Sequence, residues 1–128
     1  MQHCGQDLEH LKELTHRIIG CAYTVGNELG VGFLEKVYEN ALTHDLRKAG
    51  LDAEQQKEIK VEYDGVVVGD YVADLVVNNS VIVELKVAKA FDDIHMAQCL
   101  NYLKATGMRL CLLINFGTPR VEIKRIAN

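Results

Sequence analysis

Proline, tryptophan and long apolar runs are scarce or absent in this sequence of 128 residues. Pro119 is the one proline, there is no tryptophan, and aromatic residues make up only 6% of the chain. No apolar run is long enough to cross a bilayer, and the first residues lack the basic start and apolar stretch of a signal peptide. We therefore expect no membrane association, no linker, and a single domain over residues 1–128.

Cysteine pairs with metal-binding spacing are also missing. The four cysteines, Cys4, Cys21, Cys99 and Cys111, form no CxxC pair, and three of them have apolar neighbours. This pattern predicts reduced, buried thiols instead of disulfides or a zinc site. Reduced thiols favour a cytoplasmic location.

An excess of positive charge is absent as well. Lys and Arg number 14 against 18 Asp and Glu, which gives a formal net charge of −4. Such a chain has no bulk attraction for nucleic acid, so phosphate binding would require a local group of basic residues or bound metal ions. The sequence does have 48% hydrophobic residues, enough for one compact domain with its own core.

Apolar residues recurring at three- and four-residue steps predict helices. The first covers residues 11–29 and the second about 33–49, and each is followed by a glycine that can end it. A third helix can be capped by Asp92 or Asp93 and ends before Gly107.

β-branched, alternating segments fill most of the remaining chain. The Asp64-Gly65 pair is a strong signal for a two-residue hairpin turn. Strand segments are predicted at about 57–63, 66–71, 72–77, 80–87, 109–117 and 120–126. The order of helices, strands, a helix and further strands predicts an α/β fold with a mixed central sheet flanked by helices.

Three charged residues interrupt the most apolar strands. Asp74 lies on one strand, and Glu84 and Lys86 share one side of the next. Alternation predicts that Asp74 lies opposite Ala73 and Leu75. Because both faces of these strands are mostly apolar, a carboxylate there must be paired, hydrogen-bonded or bound to a cation.

The turn at Asn78-Asn79 decides whether the two acids can share a site. A strict two-residue turn would pair Asp74 with Val83 and leave Asp74 and Glu84 on opposite faces. A loop of odd length, with Asn79 in the left-handed region, or a β-bulge would bring the acids to a common side. We predict one of these two arrangements.

Two carboxylates and a lysine in one place suit a hard divalent cation. Mg²⁺ and Mn²⁺ prefer oxygen ligands, and Asp74, Glu84 and the backbone carbonyl of Leu85 could supply them. Lys86 could orient or deprotonate a water, or neutralise charge that develops on a phosphate. A buried salt bridge explains the same residues, and spacing alone does not choose between the two interpretations.

The same residues resemble the D…ExK signature of the PD-(D/E)XK nuclease superfamily. Asp74 supplies the aspartate and Glu84-Leu85-Lys86 supply the ExK motif, although Ala73 stands where the superfamily name has proline.

A second motif strengthens the resemblance. In "GVGFLEKVYENAL", Gly32, Glu35 and Tyr38 match the pattern of the GxxExxY family, a branch of that superfamily. The resemblance covers about residues 10–126 and implies a restriction-endonuclease-like fold with an αβββαβ core.

The resemblance also implies roles for residues outside the two strands. Glu35 would be an additional acid facing the metal, and Gln98 and Tyr102 would steady the substrate. Because Glu35 and Tyr38 lie three residues apart on a helix, Tyr38 could hydrogen-bond or wall the Glu35 carboxylate, and it is a candidate for substrate contact. Without the resemblance, the favoured interpretation of Glu35 is an acid that complements the positive amino terminus of its helix. The stripe that carries Gln98 and Tyr102 could equally be a solvated helix face.

Together these observations predict a metal-dependent phosphodiesterase that acts on nucleic acid with Mg²⁺ or Mn²⁺. Among the basic residues, Lys86 is expected to act in the site, and Lys89 is the next candidate for phosphate contact. A homodimer is possible because symmetric pairs are the commonest assembly. The alternatives are a non-catalytic binding or scaffolding module with the same fold, and an enzyme acting on small phosphorylated molecules.

Overall fold

The computed structural model describes residues 8–127 of the chain. Within them, the helices and strands are α1 (Leu8–Leu29), α2 (Glu35–Lys48), β1 (Ala53–Tyr63), β2 (Val66–Val77), β3 (Val81–Lys86), α3 (Asp93–Thr106), β4 (Leu110–Asn115) and β5 (Glu122–Ala127). The strands form a sheet of order β1-β2-β3-β4-β5. Only the β3–β4 pair of this sheet is parallel, and α3 is the crossover that a parallel pair requires. The predicted α/β fold with a mixed sheet is confirmed.

Helix ends follow local signals in the sequence. The Asp92 side chain caps α3 by accepting hydrogen bonds from the backbone N–H groups of Ile94 and His95. Gly107 ends α3 in the left-handed conformation, with φ of 74°. Helix α2 begins at Glu35, slightly later than the predicted start near Phe33, because Leu34 is still extended.

The helices cover both faces of the sheet. Helices α1 and α2 pack against one face, which we call the α1/α2 face, and α3 packs against the other, the α3 face. The α1/α2 face contributes Leu75, Val77, Val81, Val83 and Leu85 to its core. Apolar packing on both sides explains why β3 is continuously hydrophobic apart from its charged end.

The β1–β2 hairpin is longer and more continuous than predicted. Tyr63 pairs with Val66 across the Asp64-Gly65 turn, which confirms the two-residue hairpin. Residues 66–77 form one strand instead of two, because β1 pairs with β2 along nearly its whole length.

The cysteines that the structure describes are all unbridged. Cys99 and Cys111 are buried and Cys21 is half-buried, in agreement with reduced thiols, while Cys4 lies outside the described residues. Across residues 8–127, no helix is both long and apolar enough to span a membrane.

Candidate active site

The turn between β2 and β3 has the odd length that a shared site requires. Val77 pairs with Val81, so the loop contains three residues, and both Asn78 and Asn79 have φ of 51°. Asparagine tolerates this left-handed conformation better than most residues. The predicted odd-length loop is confirmed.

Strands β2 and β3 stop pairing where the acids begin. Their last ladder pair toward the site is Leu75 with Val83. Beyond it, the backbone N–H of Asp74 donates to Glu84 Oε2 at 2.7 Å, and the backbone N–H of Leu85 donates to Asp74 Oδ2 at 2.8 Å. Each carboxylate therefore binds a backbone donor on the opposite strand, which satisfies groups left free by the separating strands.

Alternation along β2 breaks at Asp74. Ala73 belongs to the core of the α3 face, whereas Leu75 belongs to the core of the α1/α2 face. The prediction that Ala73 and Leu75 share a side is therefore wrong. The physical cause is a local distortion, because Gln56, opposite Asp74 on β1, has φ of 52° and neither residue is in the β1–β2 ladder.

Loss of contact with water is the main influence on the pKa values of the two acids, and the nearby positive charge does not offset it. Glu84 is only 3% exposed, and burial, followed by the charge of Asp74, raises its pKa from 4.5 to about 8. Burial also raises the pKa of Asp74, while the N–H of Leu85 opposes that rise. Lys86 lowers both pKa values, which places its ammonium within electrostatic reach of both acids.

Glu35 faces this pair from the first turn of α2. Partial burial and then the charge of Asp74 raise its pKa, and Lys86 lowers it. In the part of the chain that the structure describes, however, no group of three or more His, Cys, Asp and Glu side chains is arranged to hold a metal ion. The predicted cluster of three acids, Glu35, Asp74 and Glu84, is thus not assembled. The charge of Asp74 affects the pKa of Glu35, but Glu35 does not join the other two acids as a third metal ligand.

The Asp74–Glu84 pair nevertheless has the donor chemistry of a Mg²⁺ or Mn²⁺ site. Such ions are commonly held by one or two carboxylates, with water and substrate oxygens completing the shell. Each carboxylate accepts one hydrogen bond from a backbone N–H, and Asp74 accepts another from Gln56, which leaves lone pairs on both groups for a cation. A cation would favour the charged forms of both acids, whose pKa values are raised chiefly by burial.

Sequence reasoning missed a buried acid beside the site, Glu39. It is 2% exposed, and its carboxylate accepts hydrogen bonds from Lys36 Nζ, Gln55 Nε2 and Gln56 Nε2 at 2.7 to 3.1 Å. Gln56 also hydrogen-bonds Asp74, so Glu39 is linked to the site through this amide. Glu39 lies four residues after Glu35, a helical spacing from which it could have been found.

Tyr38 does not contact the Glu35 carboxylate as predicted. Its hydroxyl donates to the carbonyl of Gly30 at 2.5 Å and accepts from the N–H of Phe33 at 3.3 Å. The ring is fully buried and stacks on Phe116 with centroids 4.8 Å apart. The prediction that Tyr38 binds substrate is wrong, because this side chain instead fixes the loop between α1 and α2.

The other predicted residues flank the acids. Tyr102 on α3 is 3% exposed, and its pKa is raised by burial and then by Glu84 and Asp74. Gln98 is half-buried one turn earlier on α3, and Lys89 is exposed in the segment that follows β3.

A buried asparagine fixes the chain that leaves the site. Asn115 Oδ1 accepts from the N–H groups of Ala88 and Gly117, and its Nδ2 donates to the carbonyl of Ala88. The N–H of Phe116 donates to the carbonyl of Lys86 at 2.9 Å. These bonds tie the backbone from Lys86 to Ala88 to the end of β4.

A model of the PD-(D/E)XK nuclease superfamily matches residues 12–126. The chain therefore belongs to the PD-(D/E)XK nuclease superfamily. No curated protein matches the chain.

Two solved structures resemble the fold. SSO0001 matches with a TM-score of 0.58 and 19% identity over 73% of this chain and 50% of its own. An alkaline exonuclease from Laribacter hongkongensis, LHK-Exo, matches with a TM-score of 0.54 and 13% identity over 88% of this chain and 69% of its own. The chain thus spans half the length of SSO0001. At these identities the likeness concerns the fold alone, and it agrees with the predicted restriction-endonuclease-like architecture.

Proposed function

We propose that the protein is a metal-dependent phosphodiesterase that cleaves nucleic acid. The observation that carries the proposal is the pair of Asp74 and Glu84 where β2 and β3 separate. Glu84 is buried, Asp74 is half-buried, and Lys86 lies at the same strand end. Membership of a nuclease superfamily and the fold shared with an exonuclease support it.

In the proposed mechanism, the carboxylates of Asp74 and Glu84 would hold Mg²⁺ or Mn²⁺, and the Leu85 carbonyl is a further candidate ligand. Such an ion, when bound, lowers the pKa of a water and polarises the scissile phosphate. Lys86 orients that water or neutralises charge developing on the phosphate oxygens. Glu35, on the first turn of α2, acts as an outer ligand or water anchor.

Helix α3 and the segment after β3 would contribute to substrate binding. Gln98 and Tyr102 steady the substrate from α3, with Tyr102 in the electrostatic field of both acids. Lys89, exposed beyond Lys86, contacts phosphate. The proposal also includes membership of the GxxExxY branch, a cytoplasmic location suited to reduced thiols, and a possible homodimer.

Cleavage assays test this function directly. Supercoiled plasmid and labelled single strands are incubated with the protein and Mn²⁺ or Mg²⁺, and the same reactions are run with EDTA. We expect cleavage by the native chain and none by Asp74→Asn. Asp52→Asn is the matched control, because it makes the same change at an exposed aspartate that lies just before β1, at the turn end of the β2–β3 pair. Cleavage by Asp74→Asn at the native rate would contradict the proposal.

One observation favours the second candidate, a non-catalytic scaffold. The reciprocal hydrogen bonds of Asp74 and Glu84 already give each acid a structural role, and they need no cation. A scaffold would bind no Mn²⁺ and would cleave neither plasmid nor single strands, so metal titration separates the two functions.

A further inference from the structure

A groove runs beside the candidate active site, between the β1–β2 hairpin and α3. Its volume is about 570 Å³. The hairpin side includes Lys60, Glu62 and Tyr71, and the α3 side includes Asn101 and Lys104. No step of the proposed mechanism uses these five residues.

The groove is joined to the acids through two tyrosines. The ring of Tyr71 meets the ring of Tyr102 with centroids 5.6 Å apart and an interplanar angle of 65°. Tyr102 lies in turn within the electrostatic field of Glu84 and Asp74. A chain lying along the groove would therefore approach the carboxylate pair past Tyr102.

The lining combines an exposed aromatic ring with positive charge. Tyr71 is 43% exposed although its ring contacts Tyr102. Lys104 forms no ion pair within residues 8–127, and Lys60, although paired with Glu58 and Asp70, keeps a side chain that is 55% exposed. Lys60 shares its charge with two carboxylates, so Lys104 is the lining cation whose charge no ion pair within residues 8–127 offsets.

We propose that this groove binds a single strand of nucleic acid and guides it to the Asp74–Glu84 pair. The inference rests on the proposed function and names its substrate class. Stacking on Tyr71 requires an exposed base face, which an unpaired strand offers and a duplex hides within its stack. Lys104 and Lys60 would contact the phosphates of the same strand.

Binding without cleavage tests the groove separately from the chemistry. Fluorescence anisotropy measures the affinity of the native chain in EDTA for a labelled single strand about 12 nucleotides long and for the matching duplex. We expect the single strand to bind more tightly than the duplex. Tyr71→Ala and Lys104→Glu should each weaken single-strand binding by about tenfold.

Matched variants separate local effects from general ones. Tyr71→Phe keeps the ring and should bind like the native chain. Lys48→Glu makes the same charge change as Lys104→Glu, but at the end of α2 on the opposite side of the sheet, and should weaken binding far less. Circular dichroism confirms that each variant is folded.

The outcomes distinguish this proposal from the proposed function. The groove proposal is overturned if the single strand does not bind, if the duplex binds as tightly, or if Lys104→Glu and Lys48→Glu behave alike with Tyr71→Ala unchanged. Tyr71-dependent binding by a chain that never cleaves with Mn²⁺ would retain the groove and reject the nuclease. Cleavage that neither Tyr71→Ala nor Lys104→Glu affects would retain the nuclease and reject the groove.

Discussion

The two ends of the β2–β3 pair differ in almost every physical respect. At the turn end, Leu75, Val77, Val81 and Val83 are fully buried and apolar, and the ladder is regular. A few residues away the ladder stops, and the freed N–H groups are bound by side-chain carboxylates instead of backbone carbonyls. The regular end, at the turn, stabilises the fold through apolar packing. The other end, which we call the open end, holds Asp74, Glu84 and Lys86, and apolar packing does not account for these charged residues.

This difference shows how the fold holds two acids within a mostly apolar sheet. The cost of burying Asp74 and Glu84 is met locally by two backbone donors and a nearby lysine, while apolar packing continues on both sides of the sheet. The pKa values remain raised, so the compensation is incomplete in the absence of a cation. Acids with strongly perturbed pKa values cluster at functional sites.

The largest effect on stability should come from introducing an acid at the regular end. Val83→Asp places a carboxylate in the apolar core of the α1/α2 face, where it has no lysine, and should lower the free energy of unfolding by about 4 kcal/mol or more. Urea denaturation measures the change. Val83→Ala is the control, since it removes volume without adding charge. Equal stability of the two variants would show that the regular end tolerates a carboxylate as the open end does.

Removing the Lys86 side chain should lower the rate of cleavage and leave the chain folded. If Lys86 orients the attacking water or neutralises developing charge, Lys86→Ala should lower kcat by about 100- to 10,000-fold. Lys89→Ala should raise KM by a few-fold with little change in kcat. Steady-state cleavage kinetics separate these effects, and a similar loss of kcat in both variants would remove Lys86 from the chemistry.

The raised pKa of Glu84 predicts a pH-dependent stability in EDTA. Between pH 4.5 and about 8 the folded chain holds a proton that the unfolded chain has lost, so the contribution of Glu84 to stability falls as pH rises. Glu84→Gln lacks this loss and should be more stable than the native chain at pH 8 by about 2–4 kcal/mol. Thermal unfolding from pH 5 to pH 9 measures it, with exposed Glu28→Gln as control. A native chain that gains stability over this range relative to Glu84→Gln would contradict the assigned charge state.

A smaller effect is expected from the hydrogen bonds behind the site. Glu39→Gln leaves one acceptor oxygen for the amides of Gln55 and Gln56, so the support of Asp74 weakens and cleavage should fall by about tenfold. Glu54→Gln removes an acid from an exposed pair with Lys57 and should leave the rate unchanged. If both variants cleave at the native rate, Glu39 serves stability alone.

Much of this architecture could be predicted because its signals are local. The Asp64-Gly65 turn, the Asp92 cap and the odd-length loop at Asn78-Asn79 each depend on residues a few positions apart. The pairing of Asp74 with Glu84 followed from the parity of that loop. These features needed no knowledge of the distant packing.

The rest depends on contacts between distant segments. The left-handed conformation of Gln56 distorts β1 opposite Asp74, and glutamine carries no sequence signal for such a break. Tyr38 has the motif spacing, but the carbonyl of Gly30 and the ring of Phe116 determine its role. Only the folded chain shows that the Tyr38 ring is buried against Phe116.

The central claim is that Asp74 and Glu84 jointly hold a divalent cation, and calorimetric titration with Mn²⁺ tests it most directly. The native chain and Asp52→Asn should bind Mn²⁺ alike, and Asp74→Asn should bind at least about tenfold more weakly. Equal affinity in all three proteins, or no binding by the native chain, would contradict the claim.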